Sequence, residues 1–105
     1  MRKPTIKCAL LAAMLAKHKW GTPIPETDLI AVAAIDRNEY QTASEVYAEL
    51  RSEPYVTNRG KRGIALDNSA FGEIADILYH ECGWEPFEIE LRLKHYEGWA
   101  DHEWA

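Results

Sequence analysis

A short segment near the middle of the sequence has the pattern of a β-hairpin, whereas the stretches on either side of it have helical patterns. Residues 55–58 and 64–67 are β-prone runs, and residues 59–63 between them contain two glycines that can adopt positive φ. The sequence therefore predicts two short antiparallel strands joined by residues 59–63, which we call the hairpin tip. The cationic side chains of the hairpin tip are Arg59, Lys61 and Arg62.

Three helices are predicted before the hairpin. The first spans about residues 4–20 and is apolar almost all round in its middle, which is typical of a helix at the centre of a core. An extended connector with two prolines follows it, and then a second helix over about residues 26–35. Thr42 and Glu45 have the spacing of a capping box, which predicts a third helix over residues 43–52. Its inward-facing residues are predicted to be Val46, Tyr47 and Leu50.

Two further elements are predicted after the hairpin. A fourth helix spans about residues 70–82, with Asn68 or Ser69 as its N-cap. Apolar and charged residues alternate over residues 87–94, which favours a half-buried strand. A proline before this run, a glycine after it and two favourable charge pairs at helical spacing support a helix instead, so the last element stays open between strand and helix.

The whole chain is predicted to be one α+β domain, mainly helical, with a three-helix core, a hairpin and a C-terminal extension over about residues 84–105. At 105 residues it can bury one hydrophobic core but not two. The formal charge is −5, and its distribution is uneven. Residues 1–62 hold ten Lys or Arg and seven Asp or Glu, whereas residues 63–105 hold two and ten. This asymmetry indicates a basic binding face on an acidic body.

The cysteines and the N-terminus predict a cytoplasmic protein. Cys8 and Cys82 are a pair too sparse for a disulfide framework, so we expect buried free thiols in a reducing compartment. Residues 8–16 form an apolar run of the size of a signal-peptide core, but the basic residues after the run do not fit a cleavage site. The run is also too short to cross a bilayer, and we expect no membrane association.

The order of the predicted elements, three helices, a hairpin with a glycine-rich basic tip and a further helix, resembles that of winged helix-turn-helix domains. The resemblance covers about residues 5–67. It implies a small DNA-binding or DNA-associated regulator, with the third helix in the major groove of double-stranded DNA and the hairpin on the backbone or minor groove. The third-helix residues that it places against DNA are Ser44, Tyr47, Ala48 and Arg51. The corresponding hairpin residues are Asn58, Arg59, Lys61 and Arg62.

The alternative function is a non-catalytic protein-interaction or dimerisation module without nucleic-acid binding. Glu45 and Glu49 lie on the outer face of the predicted third helix, where they would repel phosphates. The C-terminal extension is rich in aromatic residues, and a Trp side chain is costly to expose to water. We therefore expect the extension to cover the core or to contact a second copy, and we predict a homodimer. The residues predicted to make these contacts are Trp84, Tyr96, Trp99 and Trp104.

Neither a catalytic arrangement nor a phosphate-binding loop of known spacing occurs in the sequence, so we expect no enzymatic activity and no cofactor. The metal-ligand residue types in the second half are His80, Cys82, His95 and His102. They lack the paired spacing of structural zinc sites, and we predict surface histidines and a buried thiol rather than a metal site.

Overall fold

The computed structural model describes residues 2–17, 21–67 and 69–93, in which three helices precede an antiparallel hairpin and two helices follow it. This order confirms the predicted mainly helical α+β fold. The helices are α1 (Lys3–Ala16), α2 (Glu26–Val32), α3 (Tyr40–Leu50), α4 (Phe71–His80) and α5 (Pro86–Leu93). The strands are β1 (Val56–Asn58) and β2 (Ile64–Leu66), and single 3₁₀ turns cover Arg37–Glu39 and Gly60–Arg62.

Helix α1 lies at the centre of the core and packs against α2 and α3. Ile6, Leu10 and Met14 follow one another at helical spacing and have no exposed surface. The helix ends at Ala16, earlier than predicted, and residues 18–20 lie outside the described residues. None of the helices in the described parts of the chain combines the length and the apolar character needed to cross a membrane.

The connector between α1 and α2 pairs with the second strand of the hairpin. The Ile24 N–H donates to the Ile64 carbonyl oxygen at 2.8 Å, and the Ile64 N–H donates back to the Ile24 carbonyl oxygen at 3.2 Å. The Gly21 N–H donates to the Leu66 carbonyl oxygen at 3.0 Å. Gly63 permits this close approach, because a Cβ built at its φ of 111° would overlap the Ile24 carbonyl group. The connector is thus extended, as predicted, and its backbone is bonded to β2.

Helix α3 begins at Tyr40, earlier than predicted. The predicted capping box is wrong, because Thr42 lies inside the helix and the N-cap residue, Glu39, makes no side-chain cap. The 3₁₀ turn Arg37–Glu39 leads directly into the helix. The third helix therefore starts three residues before the predicted residue 43, and this adds Gln41 to α3.

Asp67 organises the turn between β2 and α4. Its carboxylate oxygen Oδ1 accepts hydrogen bonds from the Ser69 N–H at 2.9 Å and from the Ser69 hydroxyl at 2.7 Å. The bond from the backbone N–H holds the pKa of Asp67 below its usual range. The predicted N-cap role of Ser69 is wrong, because its hydroxyl bonds to Asp67 and α4 begins after Ala70 without a side-chain cap. Asn68, the other predicted N-cap, lies outside the described residues.

The element left open between strand and helix is the helix α5, so the favoured strand prediction is wrong and the helical alternative is confirmed. Ile89 and Leu93, four residues apart, are fully buried, whereas Phe87 and Leu91 are 68% and 47% exposed. The alternating pattern therefore reflects two apolar sides of one helix, of which one is buried where α5 packs against α4.

A disulfide joins Cys8 on α1 to Cys82, just beyond the end of α4. An ion pair lies beside the disulfide. Lys7 and Glu81 directly precede the two cysteines, and Lys7 Nζ lies 3.4 Å from Glu81 Oε1. The prediction of free thiols is wrong: the fold brings two distant positions to a Cα–Cα separation of 5.6 Å, a proximity that no local pattern reveals. The cysteines therefore do not support the predicted reducing, cytoplasmic location.

Candidate nucleic-acid interface

The hairpin tip is exposed and basic. Asn58 of β1 pairs with Ile64 of β2, and the Arg59 N–H donates to the Gly63 carbonyl oxygen at 2.9 Å to close the turn. The two glycines of the tip adopt positive φ, as predicted, at 64° and 111°. Within the described part of the chain, the cationic side chains of the tip are exposed and make no ion pair. These side chains are Arg59, Lys61 and Arg62, which are among the hairpin residues predicted to contact DNA.

Arg51, directly after α3, is bonded to the hairpin. Its Nη1 donates to Asn58 Oδ1 at 2.6 Å and to the Gly60 carbonyl oxygen at 3.2 Å. The same Asn58 oxygen accepts the Gly60 N–H at 3.0 Å. The guanidinium also lies over the Tyr47 ring, 5.1 Å from its centroid. Two of the predicted DNA contacts, Arg51 and Asn58, are thus bonded to each other, and together they hold the hairpin tip to the end of α3.

Tyr47 belongs to the core. Its side chain faces inward, as predicted, and is 1% exposed. Its hydroxyl donates to the Ile24 carbonyl oxygen at 2.8 Å, and the same oxygen accepts the Ile64 N–H. Burial raises the pKa of Tyr47. Tyr47 therefore offers no exposed surface to the predicted DNA contact, because its side chain fills the point where α3, the connector and the hairpin meet.

The outward side of α3 carries both acidic and uncharged residues. Glu45 Oε2 and Glu49 Oε1 lie 3.6 and 3.2 Å from Lys3 Nζ of α1. The hydrogen bond with Glu49 raises the pKa of Lys3. Ser44 is half-buried and Ala48 is exposed. The two carboxylates therefore share one cation from α1, and the other two side chains add no charge.

An open groove of about 450 Å³ runs between α2 and α3. Thr27 and Ala31 of α2 line one side of it, and Tyr40 and Gln41 line the other. Gln41 was not among the predicted contacts, because the predicted helix began at residue 43. The signal that could have revealed it is Asp36, a residue type that is typical of helix starts and that precedes the 3₁₀ turn leading into α3.

The residues considered for metal binding and catalysis do not converge where they are described. Cys82 is bonded to Cys8 and is neither a ligand nor a thiol nucleophile. His80 is exposed at the end of α4, with its ring centroid 4.8 Å from that of Tyr79. Across the described ranges, no group of three or more His, Cys, Asp or Glu side chains could hold a metal ion. His95 and His102 lie outside those ranges.

The predicted partner contacts of the C-terminal extension fall into two groups. Trp84 is half-buried and packs against the hydrophobic core. Tyr96, Trp99 and Trp104 lie outside the described residues, and their contact with a second copy stays a prediction. Large apolar side chains that are exposed in this part of the chain include Phe87 and Leu91 of α5.

No protein-family model matches the chain, and no curated protein and no solved structure is significantly similar to it. The order of its elements, three helices, an antiparallel two-stranded hairpin and further helices, is compatible with a winged helix.

Proposed function

We propose that the protein binds double-stranded DNA as a small winged-helix-like regulator, with the hairpin tip on the phosphate backbone and α3 in the major groove. The observation that carries the proposal is the hairpin tip. Its three cationic side chains are exposed and make no ion pair among the described residues, and Arg51 holds the turn to the end of α3. Phosphate contacts of this kind supply most of the sequence-independent affinity for DNA.

The internal bonds of the tip favour this function. Arg51 and the Gly60 N–H both bond to the Asn58 side chain, so the backbone that carries the cations is already ordered in the free protein. A preorganised loop loses less conformational entropy when it binds. Arg51 and Asn58 therefore serve DNA binding by positioning the tip.

The charge distribution also favours DNA binding, in spite of the net charge of −5. The acidic excess belongs to residues 63–105, whereas residues 1–62 carry an excess of Lys and Arg. On α3, Glu45 and Glu49 share the ammonium group of Lys3. Exposed charges that are farther apart than the Debye length, about 8 Å at physiological ionic strength, are largely screened from each other. The local charge of the hairpin tip therefore matters more than the total.

The test is the salt dependence of DNA affinity, measured by fluorescence anisotropy with a labelled duplex of mixed sequence. For the wild-type protein we expect binding at low salt and a steep fall in affinity as salt rises. Replacing Arg59, Lys61 and Arg62 together with alanine should abolish binding at moderate salt. At low salt, the plot of log K against log salt should become less steep, with the magnitude of its negative slope reduced by about 3.

The matched control keeps the charge of the tip. Replacing Arg59 and Arg62 with lysine preserves three cations on the same backbone, so most of the affinity should remain. Wild-type protein that does not bind DNA at low salt would contradict the proposal. Equal affinities of the triple alanine variant and the wild type would contradict the role of the tip.

A second candidate function is a protein-interaction or dimerisation module, and one observation favours it. Phe87 and Leu91 stand four residues apart on α5 and are 68% and 47% exposed, so they form an apolar strip. The same anisotropy experiment separates the two candidates, because an interaction module of this kind has no affinity for DNA at low salt.

A further inference from the structure

Gln41 occupies the outward side of α3. The buried side of the helix consists of Ala43, Val46, Tyr47 and Leu50. Gln41, Ser44 and Ala48 follow a spacing of three and four residues, which places them on one stripe away from that buried side. Gln41 and Ala48 are exposed, and Ser44 is half-buried. The stripe ends next to Arg51, where the hairpin tip is attached.

The charged side chains of α3, and Arg51 directly after it, already have partners. Arg51 donates to the hairpin, and Glu45 and Glu49 lie against Lys3. The side-chain amide of Gln41, in contrast, makes no hydrogen bond to any of the described residues. Its amide is therefore free to bond to a ligand that lies along α3.

We infer that Gln41 reads an adenine in the major groove, an inference that rests on the proposed function. A glutamine amide has one acceptor and one donor group that match the N6 donor and N7 acceptor of adenine, whereas guanine presents two acceptors at this edge. Ala48 lies seven residues further along the helix, about 10 Å at 1.5 Å per residue, which is roughly three base pairs of DNA. Its methyl group matches the methyl group of a thymine at that distance.

The experiment is a selection of binding sites from a duplex library with a randomised central region, followed by affinity measurements on the selected duplex. For the wild type we expect one position to be strongly enriched in adenine, and replacing that adenine should weaken binding about tenfold or more. Gln41→Ala should lose the preference at that position, so that the same base change alters its affinity less than twofold. Gln41→Glu should shift the preference to cytosine, because a carboxylate accepts from the cytosine amino group.

Glu73→Gln, an exposed change on α4, is the matched control and should select the same sites as the wild type. If Gln41→Ala retains the adenine preference, or if the wild type binds DNA without any positional preference, the inference is wrong and the proposed function stands. If the wild type binds no duplex at low salt, the proposed function is wrong, and this inference is wrong with it.

Discussion

The region up to residue 67 and the α4–α5 pair are held in the fold by different interactions. In the first region, three elements meet at the Ile24 carbonyl oxygen, which accepts hydrogen bonds from Tyr47 and from Ile64, and Arg51 adds a second link at the hairpin tip. In the second region, apolar side chains of α4 and α5 join the core, and a disulfide ties the end of α4 to α1. The directional bonds thus concentrate where α3 meets the connector and the hairpin, the two parts of the fold that the proposed DNA contact uses together.

Removing the disulfide should have the largest effect, and should act mainly on α4 and α5. Replacing Cys8 and Cys82 with serine is expected to lower the free energy of unfolding by about 4 kcal/mol, because the bond closes a long loop of the unfolded chain. The melting temperature should fall by roughly 20 °C. Hydrogen exchange should show a larger loss of amide protection in α4 and α5 than in α3 and the hairpin, because the change also removes the covalent tie of α4 to α1 and allows the pair to open locally.

The control for this prediction is Glu81→Gln, which removes the neighbouring ion pair and keeps the disulfide. Because the Glu81 side chain is about half exposed, the change should cost less than about 1 kcal/mol. An equal loss of protection in both regions would show that the disulfide supports the whole domain and would remove the contrast between them.

The next largest effect is expected where the connector meets the hairpin. Gly63→Ala should destabilise the protein by about 3 kcal/mol, because the new Cβ would overlap the Ile24 carbonyl group at a φ that suits glycine. Gly60→Ala is the matched variant, since it also has positive φ but meets open space, and it should cost about 1 kcal/mol. Urea denaturation measures both changes, and similar midpoints for the two variants would argue against a tight contact at Gly63.

The smallest effect is expected for Tyr47→Phe, which removes one of the two hydrogen bonds to the Ile24 carbonyl. The loss should be about 1 kcal/mol, because the Ile64 N–H still satisfies that oxygen. DNA affinity at low salt should stay within twofold of the wild type, since the hydroxyl is buried. Tyr40→Phe changes an exposed ring and should leave stability unaltered. A large loss of DNA affinity in Tyr47→Phe would indicate that the Tyr47 hydroxyl contacts DNA.

Local signals were sufficient to predict the hairpin and the order of the helices. Two β-prone runs around a glycine-containing turn predicted residues 55–58 and 64–67, and the strands are Val56–Asn58 and Ile64–Leu66. The start of α3 was misplaced because the Thr42 and Glu45 spacing imitates a capping box, whereas the preceding 3₁₀ turn begins the helix earlier. For α5, the period-two pattern did not reveal that only one apolar side would be buried.

The long-range features could not be predicted from local patterns. The Cys8–Cys82 disulfide and the Arg51–Asn58 bond each depend on the packing of elements that are separate in sequence. The cations of the candidate interface were predictable from composition and turn length. The positioning role of Arg51 was not, because it requires the end of α3 to lie beside the tip. The sequence therefore placed Arg51 among the predicted DNA contacts without revealing that its Nη1 is bonded to Asn58 and Gly60.

The most direct test of a joint α3–hairpin binding surface is amide chemical-shift mapping by NMR while a DNA duplex is added at low salt. We expect the largest shifts at the hairpin tip and along the outward side of α3, including Gln41, with small shifts in α4 and α5. Shifts centred on the Phe87 and Leu91 side of α5, or an unchanged spectrum at saturating DNA, would contradict this assignment.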